Sequence, residues 1–167
     1  MEMLLFDFGT ERAIDEWMSI NDVVMGGVST GRLEATGNDT VAFTGLVSLE
    51  NGGGFASVRS RPREQDLRRY SGLELRIRGD GRRYKINLKT GSRADDILYR
   101  AVFETFKDEW QTLRLSFEEF LPTFRGRVAR EARPLDLSRV TSLGLMISDR
   151  QAGPFRLEIA RIGAYAG

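Results

Sequence analysis

The sequence predicts an all-β sandwich or barrel, and three observations carry that expectation. About ten short runs alternate apolar and polar residues with the period of a strand. Turn signals rich in Gly, Asn, Asp and Pro separate them at close spacing. Helical periodicity is confined to one brief stretch near the N-terminus. Many short strands so arranged form two packed antiparallel sheets or a closed barrel. A chain of 167 residues is expected to form one domain, 1–167, with a full core.

Taken in order, the first strand is expected at Leu4–Phe8. Thr10 is placed to cap a short helix over Glu11–Trp17, with Ala13, Ile14 and Trp17 on one face. The segment NDVVMGGVSTG, Asn21 to Gly31, then departs from alternation. Strands follow at 32–36 and 40–49, joined by the turn Gly37-Asn38-Asp39. A second glycine-rich segment, SLENGGGFASVR from Ser48 to Arg59, runs into a strand that Arg61-Pro62-Arg63 ends, because Pro cannot donate to a ladder. Glu64–Tyr70 reads as a turn. Leu73, Leu75 and Ile77, then Tyr84, Ile86 and Leu88, face a core from two strands joined by Gly79-Asp80-Gly81, the pattern of a hairpin. Tyr99, Ala101 and Phe103 mark a further strand, and Trp110, Leu113 and Leu115 the next. The stretch 121–134 reads as irregular. Leu143, Leu145 and Ile147, and a terminal run from Phe155 to Tyr165, complete the set.

Composition narrows the chemistry. The chain has no Cys and no His. That removes thiol nucleophiles, disulfides, Cys/His metal sites and a histidine base. No metal site and no cofactor are expected. Oxygen ligands leave a structural Ca²⁺ conceivable, with Asp7 and Glu158 as candidates. Adjacent acids such as Asp95-Asp96 diverge on an extended chain, so no facing carboxylate pair is evident and no catalytic residue is assigned. No apolar run approaches the ~20 residues of a membrane span. The N-terminus, MEMLLFDFGTE, lacks the basic region of a secretory signal and the arginines of a transit peptide, so the expected compartment is the cytoplasm.

Net charge is only +1, but 22 of the 25 cationic residues are Arg, and they are concentrated in 59–100. Arg76, Arg78, Lys85, Asn87 and Arg100 are outward positions of neighbouring strands; on one sheet they would form a basic strip for an anionic partner or a glycan. Nucleic acid is not expected, since no aromatics interleave these cations. In the glycine-rich segments, Asn21, Asp22 and Ser29, and Asn51 and Arg59, supply polar side chains beside backbone that Gly lets approach closely. They serve equally well as turn residues. Trp17, next to the first segment and the better placed, Trp110 and Tyr84 are candidate platforms for a sugar, although core packing is the commoner use of Trp.

Five blocks in register, NDVVMGGVSTG (21–31), SLENGGGFASVR (48–59), LRIRGDGRRYKINL (75–88), FLPTFRGR (120–127) and SLGLMISDRQAGPFRLEIARIGAY (142–165), resemble the complex I intermediate-associated protein 30 family. The resemblance covers the chain from about Phe8 to Tyr165. It implies a galactose-binding-domain-like jelly-roll sandwich. It also implies a non-catalytic, chaperone-like assembly module whose partner is a protein, such as a respiratory-complex subunit or assembly factor. The chain looks like a free-standing bacterial-type member, without the transit peptide and N-terminal extension of mitochondrial members. The family pattern includes Asn21, Asp22, Met25, Gly26, Gly27, Ser29, Gly53, Gly54, Phe55, Ser57, Arg59, Arg125, Gly126 and Asp149. The expected binding residues are therefore Asn21, Asp22, Ser29, Asn51, Arg59, Arg125, Asp149 and Trp17, set on a loop rim or a sheet face, with a carbohydrate as the alternative ligand.

Overall fold

A computed structural model describes residues 2–9, 13–20, 29–50, 54–91, 97–124 and 126–167. The strands are β1 (Glu2–Asp7), β2 (Trp17–Ser19), β3 (Thr30–Ala35), β4 (Val41–Val47), β5 (Ala56–Ser60), β6 (Gly72–Arg78), β7 (Arg83–Thr90), β8 (Ile97–Glu104), β9 (Trp110–Ser116), β10 (Leu121–Phe124), β11 (Arg127–Val128), β12 (Val140–Ile147) and β13 (Gly153–Tyr165). They form two antiparallel sheets. One has the order β3-β4-β13-β6-β9, with β1 also paired to β13; the other runs β11-β10-β8-β7-β12-β5-β2. This is the expected jelly-roll sandwich.

Alternation builds the core. Phe43, Leu73, Leu75, Ile77, Leu157 and Ile159 point inward from the six-stranded sheet, and Tyr84, Ile86, Leu88, Leu145 and Ile147 from the seven-stranded one; all are inaccessible to solvent. Their rings interlock, with Phe43 edge-on to Phe155 at 4.9 Å and Tyr84 stacked on Phe103 at 6.2 Å. The Tyr84 hydroxyl donates to Asp80 Oδ1 at 3.0 Å. Burial, reinforced by the Asp80 charge, pushes that phenol far above its usual range.

Four sequence expectations change. Thr10 and Glu11, the expected cap and start of a helix, lie outside the described residues; the described part of that run is a short 3₁₀ turn, Ile14–Glu16, and Trp17 itself opens β2. The stretch after Leu121 contains β10 and β11. Among the described residues the strands number thirteen where about ten are expected from the sequence. Above all, the segments on either side of Gly79-Asp80-Gly81 are not a hairpin: β6 pairs with β13 and β9, and β7 with β8 and β12, in opposite sheets. The connection crosses from sheet to sheet and is anchored by Asp80. Its Oδ1 also accepts from Arg82 N at 3.1 Å, and its Oδ2 accepts from Arg156 N on β13 at 2.8 Å. Gly79 is required there, since a Cβ would lie 2.1 Å from Thr105 Cβ.

Candidate functional site

The two outer faces of the sandwich differ. On the six-stranded sheet the charges answer one another. Glu158 accepts from Arg78 Nη2 at 2.7 Å, from Arg156 Nη1 at 3.4 Å and from Thr40 Oγ1 at 2.7 Å. Arg114 bridges Glu74 at 2.9 Å and Glu2 at 3.3 Å. Arg76 and Arg78 lie over the Trp110 ring, 5.3 and 5.2 Å from its centre. The proposed basic strip is thus divided. Arg76 and Arg78 belong to this face, whereas Lys85, Asn87 and Arg100 belong to the other.

Strand register sets the pattern on the seven-stranded face. Met18, Arg59, Gly144, Asn87, Arg100 and Leu121 are successive partners on β2, β5, β12, β7, β8 and β10, one row across the sheet. A parallel row holds Ser57, Met146, Lys85 and Val102. Met18, Val102 and Leu121 are exposed. The face is therefore a cationic, amide-bearing centre between aliphatic and thioether side chains, and none of these positions is aromatic.

At the centre, Arg100 Nε donates to Asn87 Oδ1 at 3.0 Å, and Arg100 Nη2 reaches Met146 Sδ at 3.5 Å. Burial lowers the Arg100 guanidinium from its ordinary range, opposed by the charge of Asp149, but an arginine remains protonated at neutral pH. Lys85 is neutralised: its Nζ donates to Asp149 Oδ1 at 2.9 Å and to Ser148 Oγ at 2.7 Å.

The expected site residues separate accordingly. Arg59 lies in the central row, and Asp149 at one end of the same face, where its described ion partners are Lys85 and Arg83. Asp149 sits at φ +62°, in the left-handed region, within the turn that follows β12. Ser29 is fully buried. Its hydroxyl donates to Ser48 O at 3.1 Å and accepts from Ser48 N at 2.9 Å, so it stitches the described ends of the two glycine-rich segments together. Trp17 is a correction: it is 8% exposed and packed against Phe6 and Phe8, so it offers no surface for a sugar. Tyr84 is likewise in the core. Asn21, Asp22, Asn51 and Arg125 lie outside the described residues. The residues that sequence reading missed are Gly144, Met146, Val102 and Leu121. Their alternation was legible, but the strand neighbours that bring them together were not. Among the described residues no three His, Cys, Asp or Glu side chains cluster as metal ligands, and both oxygens of Glu158, the proposed calcium ligand, are engaged by Thr40, Arg78 and Arg156.

The two-sheet sandwich is shared with several solved carbohydrate-binding modules. The family 11 module of a cellulosomal cellulase of Clostridium thermocellum superposes with a TM-score of 0.76 at 14% identity, over 100% of this chain and 95% of that one. A structure of a family 11 module from the same organism in complex with a β-1,3-1,4-mixed-linked tetrasaccharide gives 0.72 at 16% identity, over 99% and 96%. Likeness at this identity defines the fold alone. Sequence defines the family: the profile described as complex I intermediate-associated protein 30 matches residues 6–159, and the chain belongs to that family. The mitochondrial complex I intermediate-associated protein 30 of Drosophila melanogaster is 29% identical over 96% of this chain and 62% of its own length. That of Mus musculus is 29% identical over 97% and 56%. The chain thus spans little more than half the length of these relatives. Their mitochondrial designation, shared by the Neurospora crassa relative, overturns the cytoplasmic assignment drawn from the N-terminal composition.

Proposed function

We propose that the protein is a non-catalytic binding module of assembly-factor type that holds a protein partner against the outer face of its seven-stranded sheet. A subunit or assembly intermediate of respiratory complex I is the partner class that the family suggests. The observation that carries the reading is the make-up of that face. Met18, Met146, Val102 and Leu121 flank Arg59, Asn87 and Arg100. Thioether and aliphatic groups adapt to a protein surface, and arginines anchor it. A glycan would instead be expected to find an aromatic platform; of the aromatics expected in that role, Trp17 and Tyr84 are in the core, and Trp110 lies on the opposite sheet beneath Arg76 and Arg78.

The test is affinity capture from a detergent extract of the source cells with the wild-type chain, Val102→Asp/Leu121→Asp, Arg59→Ala and, on the opposite face, Arg76→Ala. The wild type and Arg76→Ala should retain a complex I component that the double variant loses and Arg59→Ala retains less well, with melting temperatures unchanged. Equal capture by all four chains refutes the reading. Binding of mixed-linkage glucan in place of a protein supports the carbohydrate alternative.

A further inference from the structure

Two cations on the seven-stranded face lack a carboxylate partner among the described residues. Lys89 makes no ion pair. Among the described residues the only oxygen acceptor of Arg100 is the Asn87 amide, which leaves its terminal nitrogens with no more than the weak contact with Met146 sulfur. Asn87 is 5% exposed, and its amide NH₂ has no acceptor among the described residues. That NH₂ lies beside Gly144: a Cβ built on the glycine would stand 4.0 Å from Asn87 Nδ2 and 3.2 Å from Val58 O. The missing side chain leaves a gap over the middle strand, bordered by unpaired N–H donors on one side and by Arg59 on the other. Arg59 and Arg100 are three strands apart, about 14 Å.

We propose that Asn87, Arg100 and Gly144 form a notch that reads the carboxylate of an Asp or Glu on an extended acidic segment of the protein partner. The assignment rests on the reading that this face holds a protein. Nitrogen donors dominate the notch, so it takes an acceptor. A planar carboxylate matches the paired donors of a guanidinium and leaves its second oxygen to the Asn87 amide. The Asn87 nitrogen has no acceptor among the described residues and is not sealed from solvent, so a ligand oxygen can reach it. Lys85 is already answered by Asp149, so the charge offered to a ligand is that of Arg100 and Lys89.

The probe is a short synthetic peptide of alternating Glu and Thr, with its Gln/Thr counterpart as control. Binding is followed by fluorescence anisotropy and by amide chemical shifts of the whole protein. The Glu peptide should bind and shift the amides of Asn87, Arg100 and Gly144; the Gln peptide should bind weakly. Arg100→Gln should weaken Glu-peptide binding by about tenfold or more, as expected on losing a hydrogen bond to a charged group. Asn87→Asp keeps the shape of the side chain, supplies an internal carboxylate to Arg100 and should abolish binding. Arg76→Gln, an equal change of charge on the opposite sheet, should leave it intact. The notch is refuted if Arg76→Gln loses as much as Arg100→Gln, if the Gln peptide binds equally, or if the shifts fall elsewhere. Cellular capture that survives Arg100→Gln and Asn87→Asp but not Val102→Asp/Leu121→Asp would overturn the notch and leave the protein-binding face standing.

Discussion

Glu158 ties three strands together through one side chain. It is 2% exposed on β13, and its acceptors are filled by Thr40 beside β4 and Arg78 on β6. Burial works against its ionisation, but the hydrogen bonds from Thr40 and Arg78 outweigh it and hold the carboxyl below the ordinary value of 4.5. A carboxyl with a folded pKa below its unfolded one stabilises fully above the unfolded pKa, and that stabilisation is lost as pH falls through the folded value. Urea melts should therefore show stability falling below about pH 4.5, with a shallower fall in Glu158→Gln. At pH 7 that variant should lose about 2–3 kcal/mol, less than a fully buried pair, because the side chain of Arg78 is 37% exposed and water shares its charge. Trp17 gives the converse test. Its indole N–H is buried without a partner, so Trp17→Phe removes an unmet donor along with part of the packing. It should cost less than about 1.5 kcal/mol, against about 3–5 for Trp17→Ala. That Trp17 is core and Glu158 a junction was only partly legible. Alternation placed Glu158 outward, and only the pairing of β13 with β4 and β6 closes that position to water.

At the scale of the element, close approach between strands decides where a side chain is forbidden. Gly45 on β4 opposes Gly31 on β3, and a Cβ at Gly45 would lie 2.0 Å from Thr30 O. Gly45→Ala should force β3 away and cost about 3 kcal/mol in urea melts, the upper part of the overpacking range. Gly144→Ala, whose nearest backbone contact would be 3.2 Å, should cost visibly less. Core substitutions do not depend on which sheet a strand joins: Leu75→Asp and Leu157→Asp, each at a fully buried position, should yield no folded protein in a thermal melt. The strand pattern from Leu73 to Leu88 was read correctly at every inward position and wrongly at the connection. Two strands that face one core from opposite sheets carry the same alternation as two strands of a hairpin, and Gly79-Asp80-Gly81 suits either. The choice falls to Asp80, whose carboxylate joins Tyr84 and β13.

For the whole molecule, the contrast lies between a face whose described ion pairs close on one another and a face on which Arg100 and Lys89 have no carboxylate partner among the described residues. Partner capture through the second face should weaken as salt is raised from about 0.05 to 0.5 M, since screening shortens the reach of Arg100 and Lys89. It should not vanish, because Met18, Val102 and Leu121 contribute contacts that salt does not screen. Loss of all binding at high salt would place the whole interaction in charge.

By itself the sequence determined the fold class, the inward residue of nearly every strand, the family, and the absence of histidine and cysteine chemistry. Each follows from local pattern or from composition. Only the tertiary structure decided which sheet a strand joins, and with it that Arg76 and Arg78 are divided from Lys85, Asn87 and Arg100, that Trp17 is core, and that Gly144 stands between Arg59 and Asn87. The physical reason is that a two-residue period tells which side of a strand meets the core and nothing about its neighbours. Those are chosen by contacts between residues far apart in the chain, and a binding face is made of neighbours.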